Sequence, residues 1–200
     1  MKKALSVFLS LLMVITTISV VFTLPASAVG VTLYSEDFEG FGEGDKYVST
    51  KYLPSGNGWM ATAYSYNTVQ TPTEEVNGFT TSEGKIAAVQ NWTAAMYVFD
   101  VEPNTTYTVG ADFWQNSSRY FVSDRVRYIF SATDITGIAE GTVITNGGKG
   151  VLKVGDVSYT ATTKQEVFTS DQWVNTTLSF TTGANSTKYA IVFENQNNDK

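Results

Sequence analysis

Residues 105–114 read TTYTVGADFW, and their strict alternation limits what this chain can fold into more than any other feature. Side chains alternate faces along a strand, so Tyr107, Val109, Ala111 and Phe113 share one side, and Thr108, Gly110, Asp112 and Trp114 share the other. The first set is an expected core face. RVRYIFSA (125–132) repeats the pattern, with Val126, Tyr128 and Phe130 inward and Arg125, Arg127 and Ile129 outward. So do WVNTTLSFTT (173–182), with Val174, Leu178 and Phe180 inward, and TKYAIVFEN (187–195), with Tyr189, Ile191 and Phe193 inward.

EPNTT (102–106), TNGGKG (145–150) and TTGANST (181–187) supply turn chemistry between these runs. Further strands are expected near 31–38, 85–90, 94–101, 142–145, 151–154 and 156–161, and no apolar repeat of helical period persists after residue 29. Roughly eight to ten short strands without helices predict an all-β, antiparallel, two-sheet sandwich, because each half-polar sheet needs a second sheet to bury its apolar face.

Residues 1–28 read as an export signal. Lys2 and Lys3 precede a charge-free run from Ala4 to Leu24, Pro25 breaks it, and Ala26, Ser27 and Ala28 form a small-x-small cleavage pattern. Left uncut, the run is long enough to span a bilayer. The expected mature domain covers 29–200, secreted or at the cell surface, monomeric, and without membrane contact once cut. Thirteen basic residues less the two signal lysines leave eleven against nineteen acidic, a net charge of minus 8. Such a surface repels nucleic acid and suits neutral ligands or cations. With no Cys, stability must come from a core alone, and with no His the usual base of hydrolytic triads and the commonest zinc ligand are missing. Any enzymology would fall to carboxylates.

Four stretches then acquire meaning together: LYSEDFEGF (33–41), GKIAAVQNW (84–92), VFDVEPNTTYTVGADFW (98–114) and QWVNTTLSFTTGANSTKYAIVFEN (172–195). In order and spacing they resemble the carbohydrate-binding modules of the CenC type, through Phe38 and Glu39, Pro103, Thr105 and Tyr107, and Trp173 and Phe180. That resemblance implies a jelly-roll domain with galactose-binding-like topology, attached to a polysaccharide-degrading enzyme of bacterial origin. Two departures stand out. The family closes with one more strand carrying an Asp pair, whereas this chain stops at NQNNDK, so it is a fragment or its closing strand is supplied otherwise. The segment 133–170 exceeds the usual connection and reads as an inserted hairpin.

The stretch SEDFEGFGEGD (35–45) carries five carboxylates. On an extended strand Asp37 and Glu39 would share a face about 6.6 Å apart, with Phe38 pointing into the sandwich. Glycosidase pairs sit about 5–9.5 Å apart, but a Gly-rich segment in water offers no burial to raise the pKa of a general acid. A calcium ion takes six to eight oxygens from such loops, and a solvated turn is the third reading. The resemblance implies a structural Ca2+ between first and last strands, with Asp37 and Glu39 as its ligands here.

Sugars stack C–H faces on aromatic rings and present hydroxyls to fixed polar groups. Trp114 and Asp112 on an outward face are the leading ligand contacts, with Arg125 and Arg127 on a neighbouring one. Gln90 and Glu194 add polar contacts, and Trp92, Trp59 and Tyr64 stand where loops can rim a groove. The plainer reading makes Trp59, Trp92 and Trp173 loop anchors packed on the sandwich edge. The expected function is non-catalytic binding of a polysaccharide of the glucan or xylan class by aromatics on a sheet face. The alternatives are a structural or adhesive surface domain and a carboxylate-based jelly-roll hydrolase.

Overall fold

The computed structural model describes residues 23–26, 29–42, 45, 48, 51–62, 69–70, 86–87, 89, 93–114, 126–168 and 173–197. Within them the chain forms β1 (Thr23–Ala26), β2 (Val29–Thr32), β3 (Gly58–Ala61), β4 (Val69–Gln70), β5 (Ile86–Ala87), β6 (Ala94–Asp100) and β7 (Thr106–Phe113). There follow β8 (Val126–Asp134), β9 (Thr145–Asn146), β10 (Val151–Val154), β11 (Val157–Thr160), β12 (Thr163–Phe168), β13 (Val174–Thr181) and β14 (Lys188–Asn197). No described residue is helical, and every strand pair is antiparallel.

A four-stranded sheet, β13-β7-β1-β2, packs on a five-stranded sheet, β12-β8-β14-β6-β3, as an all-β sandwich. The expected inward sets meet between them. Tyr107 pairs with Phe180 and Val109 with Leu178 across β7 and β13. Opposite lie Phe99 of β6, Phe130 of β8, and Tyr189, Ile191 and Phe193 of β14. Ring contacts run through this layer: Tyr107–Phe180 at 5.6 Å, Phe180–Tyr189 at 4.9 Å and Phe130–Phe193 at 5.3 Å between centroids. Each aromatic so buried contributes about 1.5–3 kcal/mol, which is how a chain without disulfides is held together.

The five-stranded sheet departs from the expected alternation. All of Ala94–Phe99 and all of Tyr189–Glu194 are buried, so both faces are covered. Ile129, expected outward, is fully buried. The cause lies far along the chain. Ile135, Ile144 and Leu152 lie against Met60, Met96, Val98, Ala190 and Val192 in a second core. The expected inserted hairpin at 133–170 is therefore a three-stranded cap, β11-β10-β9, followed by β12, which pairs with β8 along the sheet edge.

Glu194 fastens this cap. Its side chain is 1% exposed, and its carboxylate accepts from Asn146 Nδ2 at 3.1 Å, Lys149 N at 3.2 Å and Gly150 N at 3.0 Å. The left-handed backbone of Gly148, Lys149 and Gly150 turns those amides inward, and a Cβ on Gly150 would stand 3.2 Å from the Lys164 stem.

β1 lies within the residues read as an export signal. With residues 1–28 present it pairs with β2 through Thr23↔Thr32 to Ala26↔Val29 and meets β7 at Thr23↔Thr108, so a cut after Ala28 falls in the connection between β1 and β2.

Candidate functional site

The two ends of the sandwich are built differently. At one, the 101–106 and 181–188 connections are laced together. Thr182 Oγ1 donates to Glu102 O at 2.7 Å and accepts from Thr105 N at 2.9 Å. Val101 N bonds Thr187 O, and Thr136 Oγ1 accepts from Thr187 N. Asp134 accepts from the Ser186 hydroxyl and from Thr136 N. Burial alone would raise the Asp134 carboxyl, but the hydrogen bonds from Ser186 and Thr136 outweigh it and hold the pKa below the usual aspartate value.

At the other end an open recess of about 460 Å³, part of it solvent, lies between Ala87, Val89, Asp112, Phe113, Trp114, Tyr128, Trp173 and Phe193. Phe113 and Phe193, 5% and 2% exposed, are also core residues and form its base. Trp114 follows the last residue of β7 and Trp173 precedes the first of β13. Because Phe113 pairs with Val174, the two indoles stand one step beyond that register, at neighbouring strand ends. The Tyr128 ring lies 5.2 Å from Phe113, and its hydroxyl donates to Trp114 O at 3.0 Å, fixing the backbone that carries the indole. Asp112 is the one ionisable carboxylate of the lining, and its Oδ1 accepts from Asn175 Nδ2 at 2.8 Å. An aromatic hollow with an oriented carboxylate at its rim can hold a ring-shaped ligand with apolar faces and hydroxyl edges.

The recess brings together Trp114 and Asp112 from the sequence reading. Tyr128, taken only as core, and Trp173, taken as a loop anchor, join them. The signal for Trp173 was the pairing of β7 with β13, which sets its position beside Trp114. Other expectations end elsewhere. Trp59 lies half-buried on β3, its Nε1 donating to Tyr34 OH at 3.2 Å and its ring 5.4 Å from Tyr97 and 5.8 Å from Phe193, and it is not among the residues that line the recess. Glu194 is buried and faces the cap, its carboxylate accepting from Asn146, Lys149 and Gly150. Arg127 lies on β8, paired with Phe168 and Gln196, with its side chain outside the described residues. Gln90, Trp92, Tyr64 and Arg125 lie outside them altogether.

The shared face expected of Asp37 and Glu39 does not form. Phe38 is left-handed at φ 58°, which turns the chain and breaks strand parity while placing its ring in the core at 0% exposure. The acids cap their own turns: Asp37 Oδ1 accepts from Glu39 N, Asp45 Oδ2 from Gly42 N, and Glu36 from Tyr34 OH and Phe38 N. Burial, with the bond to Glu36 next, pushes the Tyr34 hydroxyl well above the ordinary tyrosine range, so it stays a proton donor. Among the described residues no group of three or more carboxylates converges.

Among the described residues no sheet face carries the aromatics expected there. The outer side of β7 and β13 is a polar ladder, with Thr106–Thr181 hydroxyls 2.8 Å apart and Thr108–Ser179 hydroxyls 2.9 Å apart. Among the described residues Tyr52, 46% exposed, is the exposed aromatic, and it stands beside the cap at its bridge to Val143. No protein-family model matches this chain, and no curated protein matches it.

Proposed function

We propose that this chain is a non-catalytic carbohydrate-binding module of an exported bacterial protein, taking a polysaccharide of the glucan or xylan class at the open end of the sandwich. One observation supports the reading above others: Trp114, Trp173 and Tyr128 line one recess with Asp112. Micromolar to millimolar binding needs about 4–8 kcal/mol. One buried aromatic supplies about 1.5–3 kcal/mol, so two or three rings with rim hydrogen bonds suffice where one would not.

Affinity electrophoresis through soluble glucans and xylans tests this. The chain is expected to slow in at least one gel, Trp114→Ala and Trp173→Ala each to abolish the shift, and Asp112→Asn to weaken it. Mobility unchanged across a broad glycan panel would overturn the proposal.

A second reading, a structural or adhesive surface domain, draws support from the aromatic-free hydroxyl ladder of β7 and β13. It predicts no glycan retardation and unchanged behaviour of both tryptophan variants. Release of reducing sugar by the purified chain would instead favour the hydrolase reading.

A further inference from the structure

The glycine loop 147–150 of the cap gathers cations in an otherwise acidic protein. Five lysines have described side chains. Lys188 pairs with Asp100 at 3.4 Å, and Lys51 lies over the Tyr52 ring. The remaining three, Lys149, Lys153 and Lys164, are exposed, make no ion pair among the described residues, and converge on this loop. The Lys153 stem lies so close to Gly147 that a Cβ there would meet its Cε at 3.2 Å, and the Lys164 Cδ stands equally close to Gly150. Lys164 Nζ donates to the Lys149 carbonyl at 2.9 Å, and Lys149 itself is held at φ 57°. Glu194 beneath the loop offsets one of the three charges and already takes the inward amides, so the outer side keeps the cationic surplus.

We infer that the outer surface of this loop is an anion-binding site, distinct from the recess, for the carboxylate or phosphate groups of an acidic polysaccharide. The chain's net charge repels polyanions at long range, but screening confines that field to about 8 Å at physiological salt, and at this loop Lys149, Lys153 and Lys164 outnumber the carboxylates of Glu194 beneath it and of exposed Glu166, which shares the Lys164 face of β12. The packed stems limit how far Lys153 and Lys164 can swing, so ordering them on a ligand costs little.

The test is affinity electrophoresis of the whole chain through polygalacturonate and, separately, polyphosphate, at low salt and at about 0.5 M, where the Debye length is only a few ångströms. Retardation by either polymer, lost at high salt and at least about fivefold weaker in Lys149→Gln/Lys153→Gln, supports the site, since loss of two of its cations removes most of the attraction. Which polymer acts identifies carboxylate or phosphate as the anion. The double variant spares the Lys164 bond, and an unchanged melting temperature shows it folded. No retardation at low salt, equal retardation of the double variant, or equally strong retardation by double-stranded DNA overturns the proposal. Trp114→Ala is expected to leave these shifts unchanged, so failure here and failure of the recess are told apart.

Discussion

The two ends of the sandwich divide the work of the domain. At the laced end, Thr105, Thr136, Thr182 and Ser186 spend their polar groups on neighbouring loops; at the open end, Trp114, Trp173 and Tyr128 surround a gap that nothing in the described chain fills. The contrast teaches that a fastened end and an open end come from different chemistry here: hydrogen bonds between connections in one place, ring faces left half-exposed in the other. Substitutions at the two ends should then separate stability from ligand retention.

The largest effect tests where the recess ends and the core begins. Phe113→Ala is expected to cost about 3–5 kcal/mol in urea unfolding, because its ring packs on Phe130, Phe193 and Tyr128. A loss under about 1 kcal/mol would make the base of the recess a wall. Next, Thr182→Val strands the Thr105 amide and the Glu102 carbonyl and is expected to cost about 1–3 kcal/mol without touching glycan retardation. Trp114→Ala should do the reverse, and if it destabilises the fold more than Thr182→Val the division between ends fails.

Acid sharpens the contrast further. The folded pKa of Asp134 lies below its unfolded value of about 3.9, so its contribution is complete above that pH and is lost as pH falls through the folded value. Asp134→Asn is expected to lower the urea midpoint at pH 7 and to lessen the further drop between about pH 5 and pH 2 relative to the parent chain. Equal acid slopes in both proteins would show that the carboxylate is not held by the laced end. The smallest effect belongs to the pair of half-buried Lys188 with exposed Asp100, where Lys188→Ala should cost about 0.2–1 kcal/mol, less in high salt, by the same unfolding assay.

Much of the four-stranded sheet was legible. Tyr107, Val109, Ala111 and Phe113, and Leu178 and Phe180, occupy the inward positions that parity demands, because one face of that sheet is solvated. The five-stranded sheet was not read correctly. Ile129 was expected outward, and Ala190 and Val192 stood outside the expected inward set, yet the continuous apolar runs AAMYVF and YAIVF were themselves the mark of strands buried on both sides. What covered the second face was 35 or more residues distant from β6, counting from Asp100 to Ile135, beyond any local pattern. β12 escaped notice because an edge strand such as TKQEVF shows few apolar positions, and β3 because four residues give no period. The acidic stretch misled for a different reason: a left-handed Phe has no sequence signature, whereas a glycine there would have announced the turn. Asp112 and Trp114 were found by alternation, while Trp173 and Tyr128 needed the strand register to bring them alongside.

Because Glu194 is sealed beneath the cap, residues 135–160 cannot be trimmed as an accessory. A shortened domain would turn Met96, Val98 and Val192 toward water and strip a carboxylate of its three donors, inviting aggregation through the bared strands. Anyone grafting this sandwich onto another protein must transplant the cap with it, or replace Glu194 and its greasy neighbours with side chains content in water.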